Sequence, residues 1–436
     1  MPHVALVCLS GFRVRDREMI ALGMCLPGLS ARAGAIGALP GLGLLTLAGM
    51  TPPEWSVSYH ESVSVDDDLL DEITLLRPAL VGISALTASI SEAYVLSERL
   101  RAQGIRTVLG GLHVTSCPGE AAMHADAVVV GDGEPVWGEV LRDAVHGAPG
   151  RIHRSAAPFD LSLSPTPRFD LLGTKPRPRF TLQTSRGCPL ACEFCGASRL
   201  LGPFREKPIA RIQAELEAIQ AMSRRPTLEL ADDNTFAGKR DPAALLGTLG
   251  LAGVRYFTEA DWRIGERPDV LEHLAASGCV QVLIGMESLV HSPRGMGAKA
   301  APLPRIMDAV GRIQDAGVAV IGCFIVGCDG ETHDTMHALG EFLIDAPLAD
   351  VQLTLQTPFP GTALHEKLRR AGRLLPDRGW DSYTLFDVTY QPDPMSASEL
   401  QSAFHSLVKY VFAAEPARRR METRQRIWAN RYTENA

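Results

Sequence analysis

The sequence lacks any strong excess of positive charge. Its 436 residues carry 43 Lys and Arg against 50 Asp and Glu, which gives a formal net charge of −7. A clustered basic surface is the electrostatic mark of nucleic-acid-binding proteins, so this balance gives no indication of a nucleic-acid partner. The one basic cluster, between Arg418 and Arg431, alternates with apolar and acidic residues and is typical of a solvated helix face.

The sequence also has no recognisable secretory signal and no long uninterrupted apolar run. Residues 2–9 are typical of a buried strand and lack the charged region that opens a signal peptide. The apolar residues 35–50 include four glycines and Pro40, and they are fewer than the roughly 20 that a membrane-spanning helix needs. We therefore expect a buried helix or loop here, no membrane span, and a cytoplasmic protein.

Cysteines are few, and three of the nine fall close together at Cys188, Cys192 and Cys195. A disulfide framework is typical of short secreted chains, and a zinc site needs a fourth Cys or His nearby. The next cysteine, Cys279, stands far along the chain. Three thiolates at CxxxCxxC spacing suit three corners of a [4Fe–4S] cluster. Clusters for electron transfer are held by four cysteines, so a three-cysteine cluster indicates a different use. The fourth iron then stays open to a small molecule.

The first 147 residues alternate short apolar runs with amphipathic stretches, which predicts a doubly wound, mostly parallel Rossmann-like sheet. Strands are expected at residues 3–9, 55–60, 80–84, 106–109 and 127–130, and helices at 67–76, 90–103 and 134–145. Residues 148–178 are rich in proline and predict an extended linker.

The alternation resumes at residues 179–362, where six strand–helix units are expected. Six units are fewer than a closed eight-fold barrel requires, so a partial barrel is indicated. Its strands are expected at residues 180–184, 227–230, 256–259, 280–286, 318–326 and 351–357, and its helices at 209–221, 242–251, 268–277, 303–316 and 332–344. Residues 363–436 predict a mostly helical C-terminal region.

Acids, amides and glycine turns follow the strands of this second unit. In β/α barrels the carboxyl ends of the strands form the site. The residues at these ends include Asp232, Asp233, Asn234, Glu259, Glu287, Gly322 and Gly327. Each polar side chain among them also suits a helix cap or a backbone contact, and that alternative stays open.

The run from Thr184 to Gly196, with Arg186-Gly187 before the first cysteine and Phe194 before the third, resembles the signature of the radical S-adenosylmethionine (SAM) enzymes. The resemblance implies an open (β/α)₆ partial barrel and a [4Fe–4S] cluster on Cys188, Cys192 and Cys195. The open iron would chelate the amino and carboxylate groups of SAM. Further SAM contacts are implied for Phe194, Asp232, Asp233, Asn234, Glu259, Glu287, Gly322 and Gly327. Lys299 lies where relatives often have Asn-Lys, and this departure puts its role in question.

The first unit carries a second resemblance. Ser84-Ala-Leu86 ends one predicted strand and Gly110-Gly111 the next, as the SxL and GG motifs do in cobalamin-binding domains. Small residues there let the backbone approach a large planar ligand. The DxHxxG motif of the mutase type is absent, so no histidine from that loop would serve as a lower ligand. The cobalamin contacts that the resemblance implies are Ser84, Leu86, Thr87, Gly110, Gly111, His113, Gly131 and Glu134.

Further runs extend the resemblance over most of the chain, notably Leu39-Pro-Gly-Leu-Gly-Leu-Leu45 and Val130-Gly-Asp-Gly-Glu134. They are similar to the cobalamin-binding radical SAM proteins, and the barrel most resembles the branch of hopanoid C-methylases and bacteriochlorophyll-pathway enzymes. The resemblance implies a cobalamin-dependent methyltransferase that acts on an unactivated carbon of a small molecule through a 5′-deoxyadenosyl radical. A flavodoxin or ferredoxin would supply the electrons.

Two alternatives stay open. One is a radical SAM cyclase, dehydratase or oxidoreductase whose cobalamin domain does not take part in methylation. The other is a non-enzymatic iron–sulfur or corrinoid sensor, although a sensor has no need of acidic residues at several strand ends. The sequence assigns no side chain a catalytic role and does not identify the substrate.

Overall fold

The computed structural model describes residues 1–11, 13–147, 151–174, 176–290 and 294–433. Two six-stranded sheets, parallel throughout, dominate the described part of the chain, and each is built by strands that alternate with helices. The first forms a doubly wound domain and the second a partial barrel, as the alternating apolar pattern predicts.

The first sheet has the strand order β2-β1-β3-β4-β5-β6. Its strands are β1 (His3–Leu9), β2 (Ser56–Ser62), β3 (Leu80–Ala85), β4 (Thr107–Gly110), β5 (Ala127–Val130) and β6 (Arg151–Arg154). The helices of this part are α1 (Arg17–Cys25), α2 (Leu29–Gly37), α3 (Leu42–Met50), α4 (Asp67–Leu75), α5 (Ile90–Ala102), α6 (Leu112–Ser116), α7 (Pro118–His124) and α8 (Trp137–His146). The order reverses beside β1, and ligands of such sheets bind at this switch point.

Alternate residues of each strand of the first sheet enter separate apolar cores. On β1, Ala5 and Val7 pack with α4, α5 and α7, whereas Val4 and Leu6 pack with α3 and α8. Because side chains alternate between the two faces of a strand, a sheet covered on both faces needs apolar residues at both positions. This explains why the strands were recognisable from short, continuous apolar runs.

β6 lies inside the segment that we expected to be a linker. It pairs with β5 over four residues, from Ala127 with Arg151 to Val130 with Arg154. A short strand with arginines at both ends lacks the apolar pattern that reveals a central strand, and an edge position tolerates such residues. The first sheet therefore continues into the proline-rich region.

The second sheet has the strand order β14-β13-β12-β11-β10-β7. Its strands are β7 (Phe180–Leu182), β10 (Thr227–Leu230), β11 (Arg255–Ala260), β12 (Cys279–Glu287), β13 (Ala319–Val326) and β14 (Asp350–Leu355), and a short antiparallel pair, β8 (Ser185–Arg186) and β9 (Arg205–Glu206), follows β7. The helices that follow are α9 (Ala197–Leu200), α10 (Ile209–Met222), α11 (Pro242–Leu251), α12 (Pro268–Leu274), α13 (Leu303–Asp315) and α14 (His333–Asp345). The six expected units form the open barrel.

The α1–α2 segment contacts both edge strands of the barrel. The Thr181 hydroxyl on β7 donates to the Pro40 carbonyl at 3.1 Å, and the Arg32 guanidinium donates to the Val351 carbonyl on β14 at 2.8 Å. Met19 and Leu22 of α1 belong to the same apolar core as the barrel. This excursion of the first domain therefore packs beside the gap between the two edge strands.

The residues after the barrel form α15 (Ala363–Arg370), α16 (Ala397–Val411) and α17 (Ala414–Thr433). The loop between α15 and α16 reaches back to the first domain, where Trp380 donates to Glu120 at 2.9 Å. Trp428 of α17 donates to the Val280 carbonyl at the start of β12. The expected helical C-terminal region is confirmed, and it also contacts both preceding domains.

By length and composition, one segment among the described residues, Leu29–Met50, is apolar enough to cross a membrane. Its most apolar window has a mean hydropathy of 1.6 and is 28% buried. In the fold it consists of α2 and α3, which are separated by residues 38–41. Core helices and signal sequences meet the same criteria, so this segment is weak evidence for a membrane contact.

Candidate functional site

The cysteine loop follows β7 and is fixed by backbone hydrogen bonds from two directions. The Ala191 and Glu193 amides donate to Gly295 and Arg294 at 3.1 and 3.0 Å, and the Leu364 amide donates to the Glu193 carbonyl at 2.9 Å. Gly295 has φ +83°, and a Cβ there would lie 1.9 Å from the Ala191 carbonyl oxygen. Only glycine permits this close approach. Together with the bond from Leu364, it fixes the loop on two sides.

The three clustered thiols are close enough to influence one another. Burial raises the pKa of Cys192 to about 11; Lys299 opposes this rise, and Glu287, Cys195 and Cys188 add to it. Burial also raises the pKa of Cys188, an effect that hydrogen bonds from the Leu190 amide and Asn234 oppose. Metals bind thiolates, so binding at these two groups would release protons.

Asp232 fixes the entry into the cysteine loop. Its carboxylate accepts from the Thr184 and Ser185 amides at 2.7 and 2.9 Å, and from the Thr184 and Thr235 hydroxyls at 2.5 and 3.0 Å. It is 3% exposed. These contacts account for Asp232 as a structural group, so its SAM contact stays a prediction.

The two residues after Asp232 are arranged differently. Asp233 accepts from the Gly187 amide at 3.1 Å, and burial, followed by the nearby Asp232 carboxylate, raises its pKa to about 6. Asn234 donates to Asp261 at 3.0 Å and lies 4.0 Å from the Cys188 sulfur. Its buried Oδ1 has no hydrogen-bond partner among the described residues. The residue thus turns its amide nitrogen toward the first cysteine, and its unpaired Oδ1 suits a ligand that donates hydrogen bonds, such as an amine.

Glu259 lies near the carboxyl end of β11. Its side chain is accessible to solvent, but many protein atoms surround it. This enclosure raises its pKa to about 8, with further contributions from Asp233 and Glu229 and an opposing one from Lys299. A cation would reverse this effect by stabilising the carboxylate. Glu259 therefore ionises more readily when a positively charged ligand binds.

The raised pKa of Glu259 predicts how the ligand-free protein responds to pH. Between the ordinary value of 4.5 and about 8, the folded protein keeps a proton that the unfolded chain has lost. The contribution of protonated Glu259 to the free energy of unfolding is therefore fully present below pH 4.5. It is lost as the pH rises to about 8, so the ligand-free protein becomes less stable over this range. Glu259→Gln is expected to flatten this loss in thermal melts across that range, and the exposed control Glu272→Gln is not. Equal pH dependence in wild type and Glu259→Gln would contradict the assignment.

Glu287 and Lys299 form an ion pair next to the cysteines. Glu287 ends β12 at a register shift, has φ +61°, and leaves 7% of its side chain exposed. Its carboxylate accepts from the Lys299 ammonium, whose side chain is 12% exposed. Trp262 donates to the Lys299 carbonyl at 2.8 Å and holds this segment in place. Lys299, which the motif comparison put in question, therefore lies in the site.

Lys299→Met is expected to lower the free energy of unfolding by about 3–5 kcal/mol, because it leaves the Glu287 carboxylate buried without its cation. The double variant Glu287→Gln/Lys299→Met removes both charges and is expected to recover much of this loss. Urea denaturation of the two variants measures the difference. The pair has no such role if the single and double variants are equally stable.

Three further residues predicted to contact SAM, Gly322, Gly327 and Phe194, have other contacts in the structure. A Cβ at Gly322 would meet the side chains of Leu348 and Phe324 at 2.9 Å, so apolar side chains cover this glycine. Gly327 has φ +94° and its amide donates to Glu331 at 2.6 Å. Phe194 packs with the apolar cluster of α15. Contacts of these three residues with SAM stay predictions.

The carboxyl ends of β3 and β4 form a cradle in the first domain. Ser84 pairs with Gly110 in register, and Gly111 follows with φ 107° and ψ −175°, a conformation open essentially to glycine. Leu86 is 67% exposed, which is unusual for a leucine beside a buried strand. An apolar side chain next to open backbone suits a planar ligand.

Three other residues predicted to bind cobalamin are buried or lie in tight turns. Thr87 is 8% exposed and begins the short turn before α5. Gly131 has φ +84°, and its amide donates to Thr115 at 3.0 Å. His113 is 1% exposed and lies edge-on to Trp380, with ring centroids 4.9 Å apart. Their contacts with cobalamin stay predictions.

Glu134 instead joins the two domains through Arg186, two residues before the first cluster cysteine. Arg186 donates to Asp132 at 2.8 Å and to Glu134 at 2.7 Å. Asp132 also accepts from Arg205 at 2.7 Å. Burial opposes ionisation of Asp132, but the hydrogen bonds from Arg205, the Phe159 amide and Arg186 outweigh it and lower its pKa. We call these four side chains the Arg186 clamp.

Two family models match this chain. The B12 binding domain model matches residues 32–141, and the Radical SAM superfamily model matches residues 182–343. The chain belongs to the cobalamin-binding radical SAM proteins. The matched residues include β2 to β5 of the first sheet and β10 to β13 of the barrel.

Curated relatives of this cobalamin-binding radical SAM protein include both methyltransferases and a cyclase. The bacteriochlorophyllide d C-12(1)-methyltransferase of Chlorobaculum tepidum is 25% identical and covers 80% of this chain and 78% of its own length. The hopanoid C-2 methylase of Rhodopseudomonas palustris is 24% identical and covers 79% of this chain and 67% of its own length. The anaerobic magnesium-protoporphyrin IX monomethyl ester cyclase of Rubrivivax gelatinosus is 23% identical and covers 81% of this chain and 72% of its own length.

Two solved structures share the fold. The cobalamin-dependent SAM radical enzyme OxsB, with aqua-cobalamin and SAM bound, has a TM-score of 0.70 at 13% identity and covers 99% of this chain and 72% of that one. The radical SAM methyltransferase TsrM from Kitasatospora setae, with cobalamin and a [4Fe–4S] cluster bound, has a TM-score of 0.64 at 16% identity and covers 95% and 89%. Both likenesses confirm the arrangement of a Rossmann-like domain and a partial barrel.

The residues present fit the cofactors of this family. Three neighbouring thiols without a fourth suit an open [4Fe–4S] cluster. The free Asn234 Oδ1 and the enclosed Glu259 suit the cationic part of SAM. The glycine cradle at Gly111 and the exposed Leu86 suit a corrin.

Sequence reasoning missed the Arg186 clamp. Arg186 and Glu134 each fall in a recognised motif, but the motifs are 52 residues apart, and nothing local indicates that they meet. Asp132, in the same turn as Glu134, was also passed over. Paired opposite charges in two cofactor motifs were the available signal.

Proposed function

We propose that this protein is a cobalamin-dependent radical SAM methyltransferase that acts on an unactivated carbon of a small molecule. The observation that carries the proposal is the Arg186 clamp, which joins the turn after β5 to the loop of the cluster cysteines. Strand ends of the two sheets are thereby held together, and each is the end at which its sheet binds ligands. A radical source and a methyl carrier can serve one substrate only if they are adjacent.

The side chains at the barrel mouth support SAM binding by charge. Asp233 and Glu259 are carboxyls with raised pKa values, and both gain a favourable partner when a cation arrives. The Asn234 Oδ1 is a buried acceptor without a partner among the described residues. When bound, the cluster, SAM and cobalamin supply the radical and methyl-transfer chemistry. The protein binds and orients them.

Apolar side chains at both strand-end faces support a shielded site. Leu86 is 67% exposed at the end of β3, and Leu289 and Val290 are 40% and 49% exposed just beyond β12. Such surfaces are covered when ligands bind, which excludes water from reactive intermediates. Specialised metabolites, sugars and lipid-like molecules all remain within the proposed substrate class.

Three further parts of the proposal concern the setting of the enzyme. A flavodoxin or ferredoxin is the expected electron donor, and the cytoplasm is the expected location, since the cluster requires reducing conditions. No nucleic acid is expected as a partner, in keeping with the net charge of −7. We propose domains at residues 1–147 and 179–362, a linker at 148–178 that contributes β6 to the first sheet, and a C-terminal region at 363–436.

A second candidate keeps the radical step without methyl transfer. The cyclase relative of Rubrivivax gelatinosus covers 81% of this chain and favours it. The two candidates differ in their products from SAM. S-adenosylhomocysteine formed together with 5′-deoxyadenosine supports the methyltransferase, whereas 5′-deoxyadenosine alone, with no dependence on hydroxocobalamin, favours the second candidate.

The glycine cradle provides a direct test of cobalamin binding. Gly111→Val places a β-branched residue in a backbone conformation reserved for glycine, at a cost of about 1–3 kcal/mol, and directs its side chain toward Ser84. We expect this variant to lose hydroxocobalamin binding, measured by absorbance after gel filtration. Gly119→Val is the matched control, because a Cβ at Gly119 meets nothing within 4 Å. Equal retention of cobalamin by both variants would place the corrin elsewhere.

A further inference from the structure

A group of three metal-ligating side chains lies in the first domain, outside the residues assigned to SAM. His113 is on α6, Cys117 follows that helix, and Glu120 is on α7. One ligand atom from each of these residues lies within 4.8 Å of the other two. An imidazole nitrogen, a thiol sulfur and a carboxylate oxygen are thus already gathered at one point.

The unpaired ring nitrogens of the buried His113 point to a ligand. The residue is 1% exposed, yet neither ring nitrogen has a hydrogen-bond partner among the described residues. The Glu120 Oε1 lies 3.9 Å from Nε2, beyond hydrogen-bond distance. Leaving buried polar atoms without partners is unfavourable, so such a group in a folded protein calls for a ligand.

The surroundings of His113 suit metal binding. Burial, which Glu120 opposes, lowers the pKa of His113 to about 4, and the ring is therefore in the neutral form that ligates metals. Trp380 donates to the Glu120 Oε1 at 2.9 Å, which orients this carboxylate. Outer contacts of this kind are a regular feature of metal sites.

We propose that His113, Cys117 and Glu120 bind one zinc ion, with water as the fourth ligand. Nitrogen, sulfur and oxygen donors together suit zinc, which takes all three types in tetrahedral geometry. Binding releases the Cys117 proton, because the thiol is protonated in the absence of metal. The ion links α6 to α7 and, through Glu120, holds the Trp380 loop against the first domain. The site goes beyond the proposed function, since it requires neither cobalamin nor SAM, and it gives His113 a role as zinc ligand in place of the cobalamin contact that the resemblance implies.

Zinc content tests the proposal once the cluster cysteines are removed. In a full-length parent variant with Cys188, Cys192 and Cys195 all replaced by alanine, zinc chloride is added and the excess removed. We expect about one zinc per chain by elemental analysis. Adding Cys117→Ser is expected to remove it, whereas adding Cys25→Ser, which changes an exposed cysteine, leaves it in place. Equal zinc content in the two would overturn the site.

Cobalt provides a measurement that does not depend on the folding of the Cys117→Ser variant. Cobalt(II) bound to a thiolate produces a sulfur-to-metal charge-transfer band. The parent variant and its Cys25→Ser derivative are expected to show this band with the intensity of one thiolate, and zinc is expected to displace it. Absence of the band in the folded parent variant overturns the proposal.

Discussion

Replacing Cys192 by alanine is expected to abolish both cluster assembly and SAM cleavage. Cys192 is 6% exposed and lies within electrostatic range of Cys188 and Cys195. Two remaining thiolates cannot hold a cubane cluster with one open iron. After anaerobic reconstitution, iron is expected to fall from about four atoms per chain to near zero, and 5′-deoxyadenosine is expected to be undetectable by chromatography.

The control for this experiment is Cys25→Ala, which removes an exposed cysteine at the end of α1. It is expected to keep full iron content and full SAM cleavage. If Cys192→Ala retained a SAM-cleaving cluster, the three-cysteine site would be wrong, and a ligand elsewhere in the chain would have to be found.

Replacing Arg186 by glutamine is expected to separate the two halves of the site. The substitution leaves Glu134 buried without its cation and leaves Asp132 with Arg205 alone. Breaking a buried pair costs about 3–5 kcal/mol, so a fall of this order is expected in the free energy of unfolding. Product formation is expected to drop about 10- to 100-fold, as it does when groups that orient metal ligands are removed.

Two comparisons distinguish positioning from simple loss of stability. Arg224→Gln changes an exposed arginine and is expected to alter neither quantity. Arg186→Gln/Glu134→Gln removes both charges and is expected to regain stability without regaining product formation. If the double variant recovers both together, the Arg186 clamp is a structural support and does not position the cofactors.

Most of the fold could be predicted because its strands are covered on both faces. β5 and β10 have the bounds that apolar runs indicated, and β1 does as well. The α1–α2 segment could not be placed in this way. Its helices are short and interrupted by Pro27 and Gly28, and their position is set by Thr181 and Val351, far along the chain. Such contacts are decided by tertiary packing and leave no periodic signal.

The candidate site divides in the same manner. The cysteines were predictable because their ligand chemistry constrains their spacing along the chain. Lys299 was not, since the surrounding motif departs from its relatives and only the structure brings the side chain to Glu287. Asp232 illustrates the opposite case. Its position in the motif suggested a SAM contact, but its oxygens already hold the Thr184 and Ser185 backbone.

The most direct test measures the products of SAM as cobalamin occupancy is varied. The reduced, reconstituted protein is incubated without oxygen with SAM, the small-molecule fraction of its source cells, and increasing hydroxocobalamin. We predict that S-adenosylhomocysteine and 5′-deoxyadenosine rise together with occupancy in the wild type, and that Gly111→Val forms 5′-deoxyadenosine alone. Formation of 5′-deoxyadenosine without S-adenosylhomocysteine in the wild type, at every level of cobalamin, would contradict a methyltransferase in which the two domains act on one substrate.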